Sequence, residues 1–179
     1  MPTLARLGLD AKDKTMKSPP STVQARYASP LGTVILAASD TQLMGLWFEC
    51  QRHQPDNSAW VDAPDHPVLK VAAAQLADYF SGRRTVFELP LNLGAGTEFQ
   101  QAVWRAMLTI PSGSTLSYAA LSSLIGKPAA VRAVGAAVGR NPLCIIVPCH
   151  RVIGANGSLT GYAGGLERKI ALLQLEGPP

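Results

Sequence analysis

The chain has 179 residues, 47% of them hydrophobic, and a mean hydropathy of +0.12. That excludes a disordered protein and allows one substantial core or two small lobes. No apolar run approaches the ~20 residues of a membrane span and the first residues lack the apolar centre of a secretory signal, so no membrane partner and a cytoplasmic location are expected. Three cysteines, Cys50, Cys144 and Cys149, are too few and too irregularly spaced for a disulfide framework or a four-cysteine zinc site.

The formal net charge of +4 is unevenly placed: residues 1–90 hold nine basic and nine acidic side chains, residues 91–179 seven and three. Between Glu98 and Glu167 no carboxylate side chain occurs, whereas Arg105, Lys127, Arg132, Arg140 and Arg151 do. An anion-facing surface in the C-terminal half is one reading, with nucleic acid the commonest polymeric partner. Scattered solvated cations are the other.

In chain order, Met1 to Ser21 mixes Lys12, Lys14 and Lys17 with Pro19 and Pro20 and has no apolar period, which predicts a flexible tail over 1–21. Val23–Tyr27, Gly32–Ala38 and Leu43–Glu49 are β-prone runs separated by turn residues, a small antiparallel meander, and Gln51–His66 reads as a polar loop. Pro67–Phe80 has helical spacing, opening on Pro67 and closing before Gly82. This lobe ends near residue 90, and 91–96 reads as a linker. From 97 to 179 a second domain is expected. Thr97 and Gln100 fit a capping box for a helix running to about Ile110. Ser117–Ile125 and Pro128–Val138, split by Gly126-Lys127, have the spacing of a helix-turn-helix. The second of these helices is nearly all Ala, Gly and Val around Arg132, so that its small residues suit either close helix packing or a narrow nucleic-acid groove. Leu143–Val147 predicts a buried strand that ends at Pro148, and Leu166–Glu176 a last helix closed by Gly177.

Cys149, His150 and Arg151 put a nucleophile, a base and a cation in one row, Arg151 being readable either as a cation for the thiolate or as a structural residue holding the turn. A cysteine is only a few per cent thiolate at neutral pH, so a reactive one needs a base or a positive charge beside it. Cys144 reads as an inert buried thiol. On a strand, neighbouring side chains face opposite ways; His150 then acts on Cys149 through a water or a local turn, and needs an acceptor to fix its tautomer. Late in the chain only Glu167 and Glu176 offer a carboxylate.

The run N-P-L-C-I-I-V-P-C-H-R-V-I-G from Asn141 to Gly154, followed by G-Y-A-G-G-L and L-L-Q-L-E-G, resembles the O6-alkylguanine-DNA alkyltransferases over Thr97–Gly177. The resemblance implies an α+β fold: a small antiparallel, ribonuclease H-like N-terminal sheet with a helix, and a mostly helical C-terminal domain with a helix-turn-helix and an active-site strand and loop. It implies Cys149 as nucleophile, His150 as base through a water, Glu176 as the carboxylate orienting it and Asn141 as a brace. Arg132 matches the arginine that replaces the extruded nucleotide in the stack, with Ala133, Gly135 and Ala136 against the minor groove. Tyr118 matches the tyrosine that turns the phosphate and protonates guanine, and Tyr162, Ala163, Val152 and Pro148 the base pocket. The implied activity is single-turnover transfer of an alkyl group from O6-alkylguanine in double-stranded DNA, with O4-alkylthymine as a further substrate left open. No cofactor and no metal are expected; a monomer is, with cooperation along DNA left open.

This chain departs from some relatives in having Ala163 where they carry a serine. Cys50, His53 and His66 make only a loose set for the zinc site of animal relatives. A cysteine hydrolase would need another histidine near Cys149, and a binding-only relative would lack the cysteine.

Overall fold

The computed structural model describes residues 21–178, so the tail expected over 1–21 lies, Ser21 apart, outside them. The three β-prone runs form β1 (Val23–Ser29), β2 (Gly32–Ala38) and β3 (Leu43–Phe48), paired antiparallel as expected. The sheet as a whole is mixed. Inside the stretch read as a polar loop, β4 (Val61–Asp62) adds parallel to β1 and gives the order β3-β2-β1-β4. Gln24 secures it, accepting from Asn57 Nδ2 at 2.6 Å and donating to Trp60 O at 3.4 Å. Two residues are too few to show an alternating pattern.

α1 (Pro67–Phe80) has the predicted bounds, and packs Leu69, Ala72, Leu76 and Tyr79 against the sheet. Its partner sheet has an edge at β3, which main chain from the end of this lobe and from the other half covers. Leu43 N donates to Pro90 O at 2.8 Å and Leu43 O accepts from Asn92 N at 2.9 Å; Leu46 N donates to Pro142 O at 2.8 Å and Leu46 O accepts from Cys144 N at 3.0 Å. The expected linker thus begins as paired backbone, and β3 anchors the approach to Cys149.

α2 (Glu98–Met107) opens on the predicted capping box: Gln100 N donates to Thr97 Oγ1 at 3.2 Å and Thr97 N to Gln100 Oε1 at 3.0 Å. It stops short of Ile110 because Thr109 N and Ile110 N turn back to Ala106 O and Met107 O. α3 (Tyr118–Leu124) is capped by Ser117, and α4 (Val131–Gly139) begins three residues after Pro128 because Ala130 N first turns back to Lys127 O at 2.9 Å. Trp104 Nε1 ties α2 to α4 through Ala137 O at 2.9 Å. A short parallel pair, β5 (Leu116–Ser117) with β6 (Val152–Ile153), and α5 (Leu166–Glu176) complete the fold. One core joins the halves, running from Leu46 and Phe48 to Trp104, Leu143 and Leu172.

Candidate active site

The strand predicted over Leu143–Val147 does not form. The run is buried, as its composition demands, but the backbone is wound. Ile146 N donates to Cys144 O at 2.8 Å around Ile145, whose φ is 71°, and Val147 N donates to Leu143 O at 2.8 Å. Cys149 N then donates to Val147 O at 2.8 Å around Pro148 (φ −82°, ψ 67°), an inverse γ-turn. A β-branched residue at positive φ costs on the order of 1–3 kcal/mol, so the surroundings must impose it. Asn141 does so. Its Oδ1 accepts from Leu143 N at 2.9 Å, and its Nδ2 donates to Val147 O at 2.7 Å and to Cys149 Sγ at 3.1 Å. One buried side chain therefore closes the loop and touches the sulfur.

Cys149–Arg151 is a single 3-10 turn rather than a strand end. Successive side chains on such a turn diverge by about a third of a circle, so Cys149 and His150 still face apart, for a different reason from the one a strand supplies. Cys149 faces a cavity of about 260 Å3. His150 is fully buried and turns inward, its Nε2 2.7 Å from Glu176 Oε1. Glu176 also accepts from Arg151 Nε at 2.9 Å, Arg151 Nη2 at 2.8 Å and Tyr79 Oη at 2.8 Å. Burial would raise the Glu176 pKa, but the hydrogen bonds and charges of His150 and Arg151 outweigh it and hold the carboxyl at about 2. Burial lowers the His150 pKa, with Glu176 opposing only in part. The imidazole is therefore neutral, with Nε2–H donating to the carboxylate. Its Nδ1 is left as a bare acceptor, buried and without a hydrogen-bond partner among the described residues.

Arg151 does not serve the sulfur. Besides Glu176 it donates from Nη1 to Ile110 O at 2.5 Å, so of the two roles its place in the row allows, the thiolate's cation or a brace of the turn, its contacts fit the brace. That cation is Lys169, which the sequence reading missed. It is fully buried, and its Nζ donates to Val152 O at 2.6 Å, Thr160 O at 3.2 Å and Gly161 O at 3.3 Å, 6.0 Å from the centre of the Tyr118 ring. A signal existed: Lys169 lies seven residues before Glu176 and three before buried Leu172, on one face of α5. Cys144 is also more than an inert thiol. The Cys144 thiol draws the Cys149 pKa down; burial opposes it, and the Asn141 amide, the Tyr162 hydroxyl and the Lys169 ammonium add to the lowering. The Tyr162 hydroxyl is buried with no partner at hydrogen-bond geometry among the described residues, so it acts on the sulfur as a nearby dipole.

Tyr162 and Ala163, read as pocket residues, line the cavity, and so do Tyr118, Gly135 and Ala136, which the resemblance places against DNA. Pro148 and Val152 are buried but do not line it: Pro148 centres the γ-turn, and the Val152 carbonyl is held by Lys169. Arg132 and Ala133 are exposed on α4; Arg132, three and four residues before Gly135 and Ala136, shares the face that meets the cavity. A Cβ at Gly135 would meet only the Tyr118 ring, at 3.9 Å, and one at Gly139 nothing within 4 Å. Packing within the protein therefore does not require these glycines, and the small-residue face is turned outward. Among the described residues no group of three or more His, Cys, Asp and Glu side chains is placed to hold a metal, and no helix is long and apolar enough to cross a membrane.

Fold and site together define an α+β protein that presents one activated cysteine in a cavity walled by the second helix of a helix-turn-helix. Residues 23–93 match the model of the 6-O-methylguanine DNA methyltransferase ribonuclease-like domain, and residues 98–178 that of the DNA binding domain of the same family. A methylated-DNA–protein-cysteine methyltransferase of Mycobacterium leprae is 50% identical over 148 residues, covering 83% of this chain and 88% of the relative. An inducible one of Bacillus subtilis is 48% identical over 149 residues, covering 83% and 82%. The crystal structure of Mycobacterium tuberculosis OGT in complex with DNA superposes with a TM-score of 0.80 at 48% identity, covering 87% of this chain and 92% of that one. The chain belongs to the 6-O-methylguanine DNA methyltransferase family.

Proposed function

We propose that the protein repairs DNA directly, moving the alkyl group of O6-alkylguanine in duplex DNA onto Cys149, once per molecule and as a monomer in the cytoplasm. The observation that carries this is the placement of the Cys149 sulfur. It is held by Asn141 at 3.1 Å, kept below its ordinary pKa, and set in a cavity beside the outward small-residue face of α4. In this reading 97–179 binds DNA and transfers the alkyl group, 91–96 joins the halves, and 22–90 supports the active-site turn.

Extruding the damaged nucleotide costs a few kcal/mol, least where pairing is already impaired. Arg132 fills the stack from the exposed face of α4, and Ala133, Gly135 and Ala136 allow the minor groove close approach. His150 Nδ1 takes the Cys149 proton through a bridging water, while Glu176 holds the imidazole by Nε2. The thiolate forms a bond to the alkyl carbon as the C–O6 bond breaks, its electron pair passing to guanine. Burial raises the Tyr118 pKa, so this phenol keeps its proton until the leaving base draws it. A thioether has no easy hydrolytic route back to the thiol, which makes the transfer stoichiometric.

The test mixes the protein with duplex DNA containing O6-methylguanine and reads the intact protein mass. One methyl per protein, mapped to the Cys149 peptide and absent in Cys149→Ala, is expected. More repaired guanine than protein, or no gain in mass, overturns the proposal.

A further inference from the structure

Two of the basic side chains at the mouth of the cavity come from the N-terminal half. Arg52 and His53, in the loop after β3, line it together with Arg140 of the α4 C-terminus, and no lining residue is acidic. These three are exposed, as are Ala136 and Gly161, whereas Cys149 is buried at the floor. The loop is not a loose flap. Cys50 and His53 adopt φ of 64° and 62°, a conformation non-glycine residues take only when held there. Gln51 holds one side, accepting from Phe48 N at 2.9 Å with the same Oε1 that lies 3.5 Å from Cys144 Sγ. Arg52 N holds the other, donating to Ala163 O at 3.1 Å. The loop is thus fixed both under the active-site turn and on the Tyr162 wall.

Charge pairing sets Arg52 apart from the other described arginines of its half. In the same half Arg26 pairs with Glu49, Arg83 with Asp78 and Arg84 with Glu88. Among the described residues no ion pair includes the Arg52 guanidinium. A planar fork of donors left over on a rigid loop, at the mouth of a cavity that holds no carboxylate, suits the bidentate geometry of a phosphate.

We propose that Arg52, with His53 beside it, is a DNA-backbone contact supplied by the N-terminal half, receiving a phosphate next to the extruded nucleotide so that the strand is held from both walls of the cavity. This rests on the reading of the site as one that acts on duplex DNA. The contact is outside the helix-turn-helix, and it makes the loop after β3 part of the nucleic-acid surface.

The test compares wild type, Arg52→Ala and Arg52→Lys. Binding to undamaged duplex across a salt series needs no chemistry, and there Arg52→Ala should reduce the slope of log affinity against log salt by about one, with Arg52→Lys near wild type. In single-turnover transfer, Arg52→Ala should slow reaction with O6-methylguanine duplex by about tenfold, and slow free O6-benzylguanine by a clearly smaller factor. An unchanged salt slope overturns the proposal, as does an equal loss on duplex and free base, which would make Arg52 a wall of the pocket. Slowing confined to O6-carboxymethylguanine duplex also overturns it, by placing the anion on the adduct. If wild type transfers nothing from either substrate, the alkyl-transfer reading fails while the salt slope still decides the phosphate contact.

Discussion

α2 and the segment from Asn141 to Ile153 are both rich in apolar residues and both carry core side chains, yet they satisfy their backbones in opposite ways. α2 closes its own hydrogen bonds and caps its first turn with Thr97 and Gln100. The segment borrows its bonds: from the edge of β3 at Leu46, from the Asn141 amide, and from two three-residue turns. A run of hydrophobic residues states that a segment is buried; where its N–H and C=O groups find partners decides its shape. In the segment that arrangement places a sulfur, and holding Ile145 at positive φ is part of its cost.

The contrast breaks most sharply at Asn141. Asn141→Ala leaves the buried Leu143 N–H without its acceptor, at roughly 1–3 kcal/mol, and removes one of the two donors to Val147 O, which keeps Cys149 N, at about 1 kcal/mol more. A total near 3 kcal/mol lowers the melting temperature by roughly 6–12 °C in a chain of this size. Because the same Nδ2 reaches Cys149 Sγ, the variant should also lose thiol reactivity toward iodoacetamide at neutral pH. Asn141→Asp keeps the acceptor for Leu143 but loses both donors, and should be no better on reactivity. A melting temperature within a degree or two of wild type would mean that the turn does not depend on this side chain.

How much the sequence shows follows the same divide. Helices α1, α2 and α5 and strands β1 to β3 are legible because their partners lie at fixed offsets: Pro67 and Gly82, Thr97 and Gln100, the turn at Ser29-Pro30. The pairing of His150 with Glu176 next to Cys149 follows from the motif and its resemblance to a family, not from spacing. The strand expected at Leu143–Val147 fails because its composition suits a strand while its hydrogen bonds belong to Asn141 and Leu46. Lys169 is hidden among the charges of α5, Glu167 and Arg168 beside it, and its role depends on carbonyls of the loop from 152 to 161 that no local pattern announces. Arg52 and His53 sit in a polar loop whose fold is set by Gln51 and Ala163, far apart in the chain.

A second, smaller effect separates the two regions by pH. Glu176 is held at about 2 in the fold against an ordinary 4.5, so the unfolded chain takes up its proton first. Its contribution is complete above about pH 4.5 and is lost as pH falls toward about 2. His150 acts in the same direction at higher pH. Its folded pKa is below 6.5, so the unfolded chain also protonates first there, and stability starts to decline as pH drops below 6.5. Urea unfolding between neutral and acid pH should show a Glu176-linked loss on the order of 2 kcal/mol. Glu176→Gln, already weaker at neutral pH because Arg151 loses its charge partner, should show a flatter acid limb. Parallel limbs in the two proteins would remove Glu176 as the acid-sensitive group.

The smallest expected effect belongs to the regular element. Thr97→Ala removes the hydroxyl that accepts from Gln100 N at 3.2 Å at an exposed helix start. Water replaces a partner there, so the cost is about 1 kcal/mol, a shift of roughly 2–4 °C in melting temperature. Alkylation of Cys149 should keep its rate, because α2 reaches the site indirectly, by packing on α3 and α4 and by the bond from Trp104 to Ala137 O. Thr97→Ser keeps the oxygen and should recover most of the loss. If Thr97→Ala instead slowed alkyl transfer as much as it lowered stability, the capped helix and the wound segment would be one cooperative unit, and their division into separately satisfied backbones would be wrong.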